Sequence, residues 1–186
     1  MFLAIPMSRP IVGVGSDGMA GLTHRERQAL SDADAIIGQN HVLGQLGSTN
    51  AEQVTLDPDL ATAGREIGSR ISRQKLAFVV SGDPLFYGLA GWLFDTFGKD
   101  RFEVLPHVSS MQTAFARIKE SWEDAYLSNL QSQPLPTVID RMRQARTVGL
   151  FTTPEVGPAA VARALLARGL TGYRAHVCEN LGTPRE

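Results

Sequence analysis

The amino-acid sequence predicts an α/β protein on a mostly parallel sheet, and three observations lead there. Residues 76–80, L-A-F-V-V, form a short unbroken apolar run, the pattern of a strand covered on both faces. Stretches of helical periodicity separate such runs, so strands and helices alternate as parallel pairing requires. Two strand ends pass through small polar turns into helices, S-G-D-P at 81–84 and P-H-V-S-S at 106–110. That is the edge at which open α/β sheets hold ligands.

In chain order, the first strand is 11–14, running into G-V-G-S-D-G at 13–18. A helix starts at Thr23, whose T-H-R-E makes a capping box with Glu26. Residues 35–37 form the second strand, 40–46 a short helix, and 53–56 a third strand closed by Asp57 and Pro58. Leu60, Gly64, Ile67 and Ile71 then share one helical stripe, with Arg65, Glu66, Ser69 and Arg70 off it. After the strand at 76–80, Asp83 reads as an N-cap and Pro84 as the first helical position. A carboxylate accepts orphan amide hydrogens, and proline has none to lose. The helix expected over 85–97 takes Leu85, Leu89, Trp92, Leu93 and Phe97 into the core and ends at Gly98. A fifth strand, 102–105, breaks at Pro106. The helix after it, 111–118, can be capped by Ser109 or Ser110.

Beyond Lys119 the character changes. A strand near Tyr126 gives way to a polar, proline-broken loop at 129–136, then a helix over 137–144 and a strand over 147–151. A helix opened by Gly157 and Pro158 runs to Arg168, with Gly169 after it, and 173–179 reads as the last strand. Three strands make a thin sheet, so an open or partner-covered edge is expected there.

The charge balance excludes several function classes. Lys and Arg number 18 against 19 Asp and Glu, a net charge of −1, so no global basic field points to nucleic acid. Cys178 is the single cysteine, which excludes an internal disulfide and a cysteine-rich metal site and suits a reducing cytoplasm. The apolar lead M-F-L-A-I-P-M has no basic flank and is broken by Pro6. It is too short for a signal segment or a membrane span and reads as an unstructured lead. His24, His41, His107 and His176 show no zinc spacing, and no G-x-S-x-G elbow occurs. No metal is expected.

Gly13, Gly15 and Gly18 match the dinucleotide fingerprint, but the supporting features are missing. The helix begins several residues late, at Thr23, and the second strand ends in Gly38-Gln39 rather than in an acid for a ribose. The loop therefore reads as a tight, substrate-facing turn. A nucleotide-dependent oxidoreductase on this loop and a non-catalytic ligand-binding α/β module stand as the alternative functions.

Four segments in order carry a stronger signal: G-V-G-S-D-G-M-A-G-L-T, S-G-D-P-L-F-Y-G, P-H-V-S-S-M-Q-T-A-F-A-R and E-N-L-G-T-P-R-E. Together, over 11–186, they resemble the tetrapyrrole methylases, and most of all the branch that methylates carbon 5 of precorrin-6Y or cobalt-precorrin-7 in cobalamin synthesis. The resemblance implies two α/β domains, 10–107 and 108–186, the second lacking its last strands, with S-adenosylmethionine in the cleft between them. It also implies a precorrin or cobalt-precorrin substrate, a cytoplasmic homodimer, and no nucleic acid or membrane partner. By motif it places Gly82, Asp83 and Phe86 against the cofactor, with Ser109, Ser110, Thr152 and Gly182 at further cofactor-lining positions. Ser16 falls where cofactor and macrocycle approach each other. Asp83 thereby becomes a ligand contact as well as a cap.

Two departures stand out. Relatives carry H-G-R after the strand near Tyr126, where this chain has S-N-L-Q-S-Q, and many have an arginine where His41 stands. The family pattern also runs on into further strands beyond E-N-L-G-T-P-R-E. The reaction implied is direct methyl transfer to a ring carbon, which needs alignment and a proton acceptor but no triad. His41, His107 and Tyr87 are the acceptor candidates; Arg117, Lys119, Arg141 and Arg143 are the candidates for the substrate's carboxylates.

Overall fold

A computed structural model describes residues 8–186; the lead at 1–7 lies outside them. The chain forms two compact units, one running to Ser109 and the other starting at Ser110.

The first unit is a five-stranded sheet in the order β3-β2-β4-β1-β5, parallel at every pairing. Its strands are β1 (Arg9–Val14), β2 (Ala35–Gly38), β3 (Glu52–Thr55), β4 (Leu76–Ser81) and β5 (Phe102–Leu105). The helices between them are α1 (His24–Ser31), α2 (Asn40–Leu46), α3 (Leu60–Arg70) and α4 (Ala90–Phe97). Because side chains alternate across a strand, each strand feeds two cores. Val12, Val14, Ile36, Ala77 and Val79 pack with Leu22, Leu30, Val42, Leu43 and Leu46 on the α1–α2 face. Ile11, Ala35, Ile37, Leu76 and Phe78 pack with Ile67, Ala90 and Leu93 on the α3–α4 face. Phe78 is fully buried and meets Phe102 edge to face, with ring centroids 5.8 Å apart.

The strand order explains the two faces. The chain steps one way from β1 to β2 to β3, and the other way from β3 to β4 to β5. Right-handed crossovers in opposite directions put their helices on opposite faces. Neighbours β1 and β4 therefore send their outgoing chains to opposite sides, and the carboxyl ends of such a pair are where open α/β sheets bind ligands.

The second unit holds α5 (Ser110–Ile118), β6 (Tyr126–Asn129), α6 (Leu135–Met142), β7 (Val148–Phe151) and α7 (Pro158–Ala167). β6 and β7 pair in parallel as a two-stranded sheet. Val138, Ile139, Met142, Val161 and Leu130 form its core, joined by Tyr173, whose hydroxyl donates to the Met142 carbonyl. Gly149 lies where a Cβ would stand 2.5 Å from the Met111 sulfur, so α5 packs against bare backbone of β7.

Several sequence expectations need correction. Asp83 caps no helix: α4 begins at Ala90, and residues 82–89 form a folded loop. The Asp83 carboxylate accepts from the Leu85 amide at 2.8 Å, a local turn that competes with the helical pattern. Leu85 is 61% exposed rather than core, and Leu60 is exposed at the start of its stripe, where Ala63 is buried instead. Residues 173–179 belong to no sheet, since an extended segment becomes a strand only with a neighbour to pair it. α6 starts two residues early, at Leu135, because Pro136 fits the first turn of a helix as well as a loop. Among the described residues no helix is long and apolar enough to cross a membrane.

The capping box forms as expected. The Glu26 amide donates to the Thr23 hydroxyl at 3.3 Å, and the Thr23 amide donates to the Glu26 carboxylate at 2.6 Å. Replacing Thr23 by Ala is expected to lower stability by about 1 kcal/mol in urea unfolding with an unchanged m-value. A loss below a few tenths of a kcal/mol would show that Glu26 alone holds the helix start.

Candidate functional site

The carboxyl edge of the first unit carries three turns, after β4, β1 and β5, strands adjacent in the sheet. Backbone hydrogen bonds join them: the Gly82 amide donates to the Val14 carbonyl at 2.9 Å, and the His107 amide to the Gly82 carbonyl at 3.3 Å. Glycine makes this approach possible. A Cβ on Gly13 would stand 2.0 Å from the Gly82 carbonyl oxygen and 2.5 Å from the His107 amide nitrogen. Gly82 has φ +68° with the Ser109 Cα 3.0 Å from where its Cβ would be, so no other residue fits without strain. The glycine fingerprint is thus a packing device. Gly18, at φ +56°, faces the Gln45 carbonyl and opens a short 3-10 turn, Gly18–Ala20, rather than α1.

The loop after β4 is compact. The Phe86 amide donates to the Asp83 carbonyl and the Ala90 amide to the Pro84 carbonyl. Gly88 packs so closely on Pro84 that a Cβ would lie 2.4 Å from its oxygen, and Tyr87 adopts φ 56°. Left-handed backbone at a tyrosine is uncommon and marks this loop as constrained. The Phe86 and Tyr87 rings lie 4.8 Å apart. Leu85, Tyr87 and Val108 are all largely exposed, an apolar fringe on the turns after β4 and β5.

Of the residues singled out in the sequence, Ser16, Gly82, Asp83, Phe86 and Ser109 come together at this one edge, Ser109 buried and Asp83 half-buried. Ser110, Thr152 and Gly182 belong to the second unit. There Ser110 opens α5 and Thr152 follows β7. Gly182, at φ +76°, donates its amide to the Glu186 carboxylate at 2.8 Å. Glu186 also holds Arg117 through two hydrogen bonds. Arg117 is therefore engaged within its own unit; Arg141 and Arg143, at the end of α6, and Lys119 are exposed. The apolar fringe was missed from sequence because Leu85 fits a helical stripe; Gly88, three residues into the expected helix, was the available signal against it. Among the described residues no group of three or more His, Cys, Asp or Glu is placed to hold a metal.

The family model for tetrapyrrole (corrin/porphyrin) methylases matches residues 10–186. The chain belongs to the tetrapyrrole methylases. A cobalt-precorrin-7 C(5)-methyltransferase of Salmonella typhimurium is 30% identical over 177 residues, covering 95% of this chain and 86% of that protein. A decarboxylating precorrin-6Y C(5,15)-methyltransferase of Mycobacterium tuberculosis is 33% identical over 178 residues, covering 95% of this chain but 44% of the longer relative. The crystal structure of a precorrin-6Y methylase of cobalamin biosynthesis from Archaeoglobus fulgidus superposes with a TM-score of 0.58 at 23% identity, over 68% of this chain and 66% of that one. That likeness places this tetrapyrrole methylase in the same fold.

The Glu186 carboxyl is held at about 2, against an ordinary value of 4.5, first by the Arg117 hydrogen bonds and then by the Gly182 amide. A lowered folded value means that the contact stabilises above about pH 4.5 and is lost as pH falls from there toward 2. In an NMR titration the Gly182 amide is expected to shift with a midpoint near 2, moving up toward 4.5 in Arg117→Ala. A midpoint near 4.5 in the unaltered chain would show that the pair does not form in solution.

Proposed function

We propose that the chain transfers a methyl group from S-adenosylmethionine to carbon 5 of a precorrin or cobalt-precorrin in cobalamin biosynthesis. The observation that carries this reading is the match, over 95% of the chain, to a cobalt-precorrin-7 C(5)-methyltransferase at 30% identity. The alignment covers one module of the C(5,15) relative, so methylation at carbon 15 and decarboxylation are not part of the proposal.

The groups at the carboxyl edge suit the cofactor. It combines an ammonium and a carboxylate, ribose hydroxyls, a flat apolar base and a positive sulfur; the edge offers the Asp83 carboxylate, hydroxyls at Ser16 and Ser109, turn amides, and the apolar Phe86 and Leu85. When bound, S-adenosylmethionine supplies an electrophilic methyl group. In our reading Asp83 accepts hydrogen bonds from the cofactor's ammonium or hydroxyls, and Phe86 covers an apolar face. Gly82 lets the backbone come close, and Ser110, Thr152 and Gly182 are proposed as further contacts from the second unit. The protein aligns two partners and keeps water from a strongly reactive centre, chemistry that needs no activated side-chain nucleophile. Exposed Arg141, Arg143 and Lys119 are proposed partners for the carboxylate rim of the macrocycle. A homodimer in the cytoplasm is the proposed working form.

Two measurements test the reading. Incubation with methyl-labelled S-adenosylmethionine and the late precorrin, with and without cobalt, should place label on carbon 5 in the NMR spectrum of the product. Label on nitrogen, on another ring carbon, or nowhere contradicts it. Calorimetry with S-adenosylhomocysteine should show Asp83→Asn binding about tenfold more weakly. That variant keeps an oxygen for the Leu85 amide and removes only the charge. Unchanged affinity would leave Asp83 a loop residue alone.

A further inference from the structure

Methyl transfer to carbon leaves the proton acceptor unassigned, and the first unit contains a group suited to that task. We propose that His107 Nε2 takes the proton released by the macrocycle, with Asp17 steadying the charge the ring acquires. This inference rests on the methyl-transfer reading above.

Three observations place His107 for the role. Its amide donates to the Gly82 carbonyl, so its backbone is fixed to the turn that carries Asp83. Its ring lies against the bare backbone of Gly15, where a Cβ would stand 2.5 Å from the imidazole Cε1 and 3.1 Å from Nδ1. Any larger residue at position 15 would displace the ring. The Nδ1 atom, finally, contacts the Val108 carbonyl oxygen at 3.4 Å. A carbonyl only accepts, so the tautomer that makes this contact a hydrogen bond carries its proton on Nδ1 and has the Nε2 lone pair to receive another.

Asp17 lies against the same glycine. Its Oδ1 lies 2.7 Å from the Gly15 Cβ position, so carboxylate and imidazole are within about 5 Å of each other. Gly21 makes room for that carboxylate, since a Cβ there would stand 2.3 Å from both oxygens. Two glycines thus accommodate one acid and one base at the carboxyl edge of β1.

The proton balance follows from the chemistry. The new carbon–carbon bond takes its electron pair from the macrocycle's π system, and the carbon–sulfur bond breaks with its pair left on sulfur. The macrocycle then carries one extra positive charge until it loses a proton, which passes to Nε2; the imidazolium later returns it to water. The other two candidates are less well placed. His41 stands exposed on α2, after β2, which β4 separates from β1. Tyr87 offers a phenol, which already holds its proton at neutral pH.

The test uses the full chain with labelled S-adenosylmethionine and the late precorrin in single turnover. His107→Gln should slow transfer at saturating S-adenosylmethionine by about 10²–10⁴-fold, a loss larger than any drop in S-adenosylhomocysteine affinity. Added imidazole should restore part of the rate in His107→Ala. In 15N-histidine NMR, the neutral ring of His107 should carry its proton on Nδ1. Asp17→Asn should give a smaller rate loss, again at saturating S-adenosylmethionine. A His107→Gln rate within threefold of the original, a proton found on Nε2, or a rate loss matched by lost affinity with no imidazole rescue would overturn the inference and leave the methyl-transfer reading standing. An unaltered chain that transfers no label overturns both.

Discussion

The first unit depends on a backbone contact that only glycine permits. Val14, Gly82 and His107 belong to three different strand ends, yet two hydrogen bonds draw their main chains together over the bare Cα of Gly13. Parallel strands supply no short turn of their own to hold their carboxyl ends in register. Contact between the outgoing loops does that work here. With it in place, Asp83, Ser109 and the His107 ring share one edge; a side chain on Gly13 would drive β1 off the turn after β4 and scatter them.

This contact also explains what could be read from sequence. Strands 11–14, 76–80 and 102–105 and helix 40–46 were legible because continuous apolar runs and helical stripes reflect burial directly, and burial is what the sheet and its two cores enforce. The capping box at Thr23 was legible because both partners lie within one turn. The loop after β4 was misread for the opposite reason. D-P followed by apolar residues has the local pattern of a helix start, but the Asp83 carboxylate turns back to the Leu85 amide and Gly88 closes on Pro84. Residues 173–179 have the composition of a strand; what they lack is a neighbour, which no local pattern reveals.

The candidate site shows the same division. The resemblance names Ser16, Gly82, Asp83, Phe86 and Ser109 as cofactor contacts, and the fold puts these five at one edge. Nothing local in the sequence brings Asp17 within about 5 Å of the His107 ring, ninety residues away. Gly15 and Gly21 leave the space that both side chains occupy. The fingerprint glycines at 13, 15 and 18, which suggest a nucleotide loop when read as letters, act here through close packing of the loops around them.

The proposed methyl-donor site lies at the carboxyl ends of β1, β4 and β5. The most direct measurement is the backbone amide footprint of S-adenosylhomocysteine by NMR on the full chain. Within the first unit, the largest shifts are predicted at 14–17, 82–88 and 107–109. Shifts concentrated instead at the amino-terminal edge, in the cavity lined by Arg9, Asp34, Arg73 and Lys75, would contradict it.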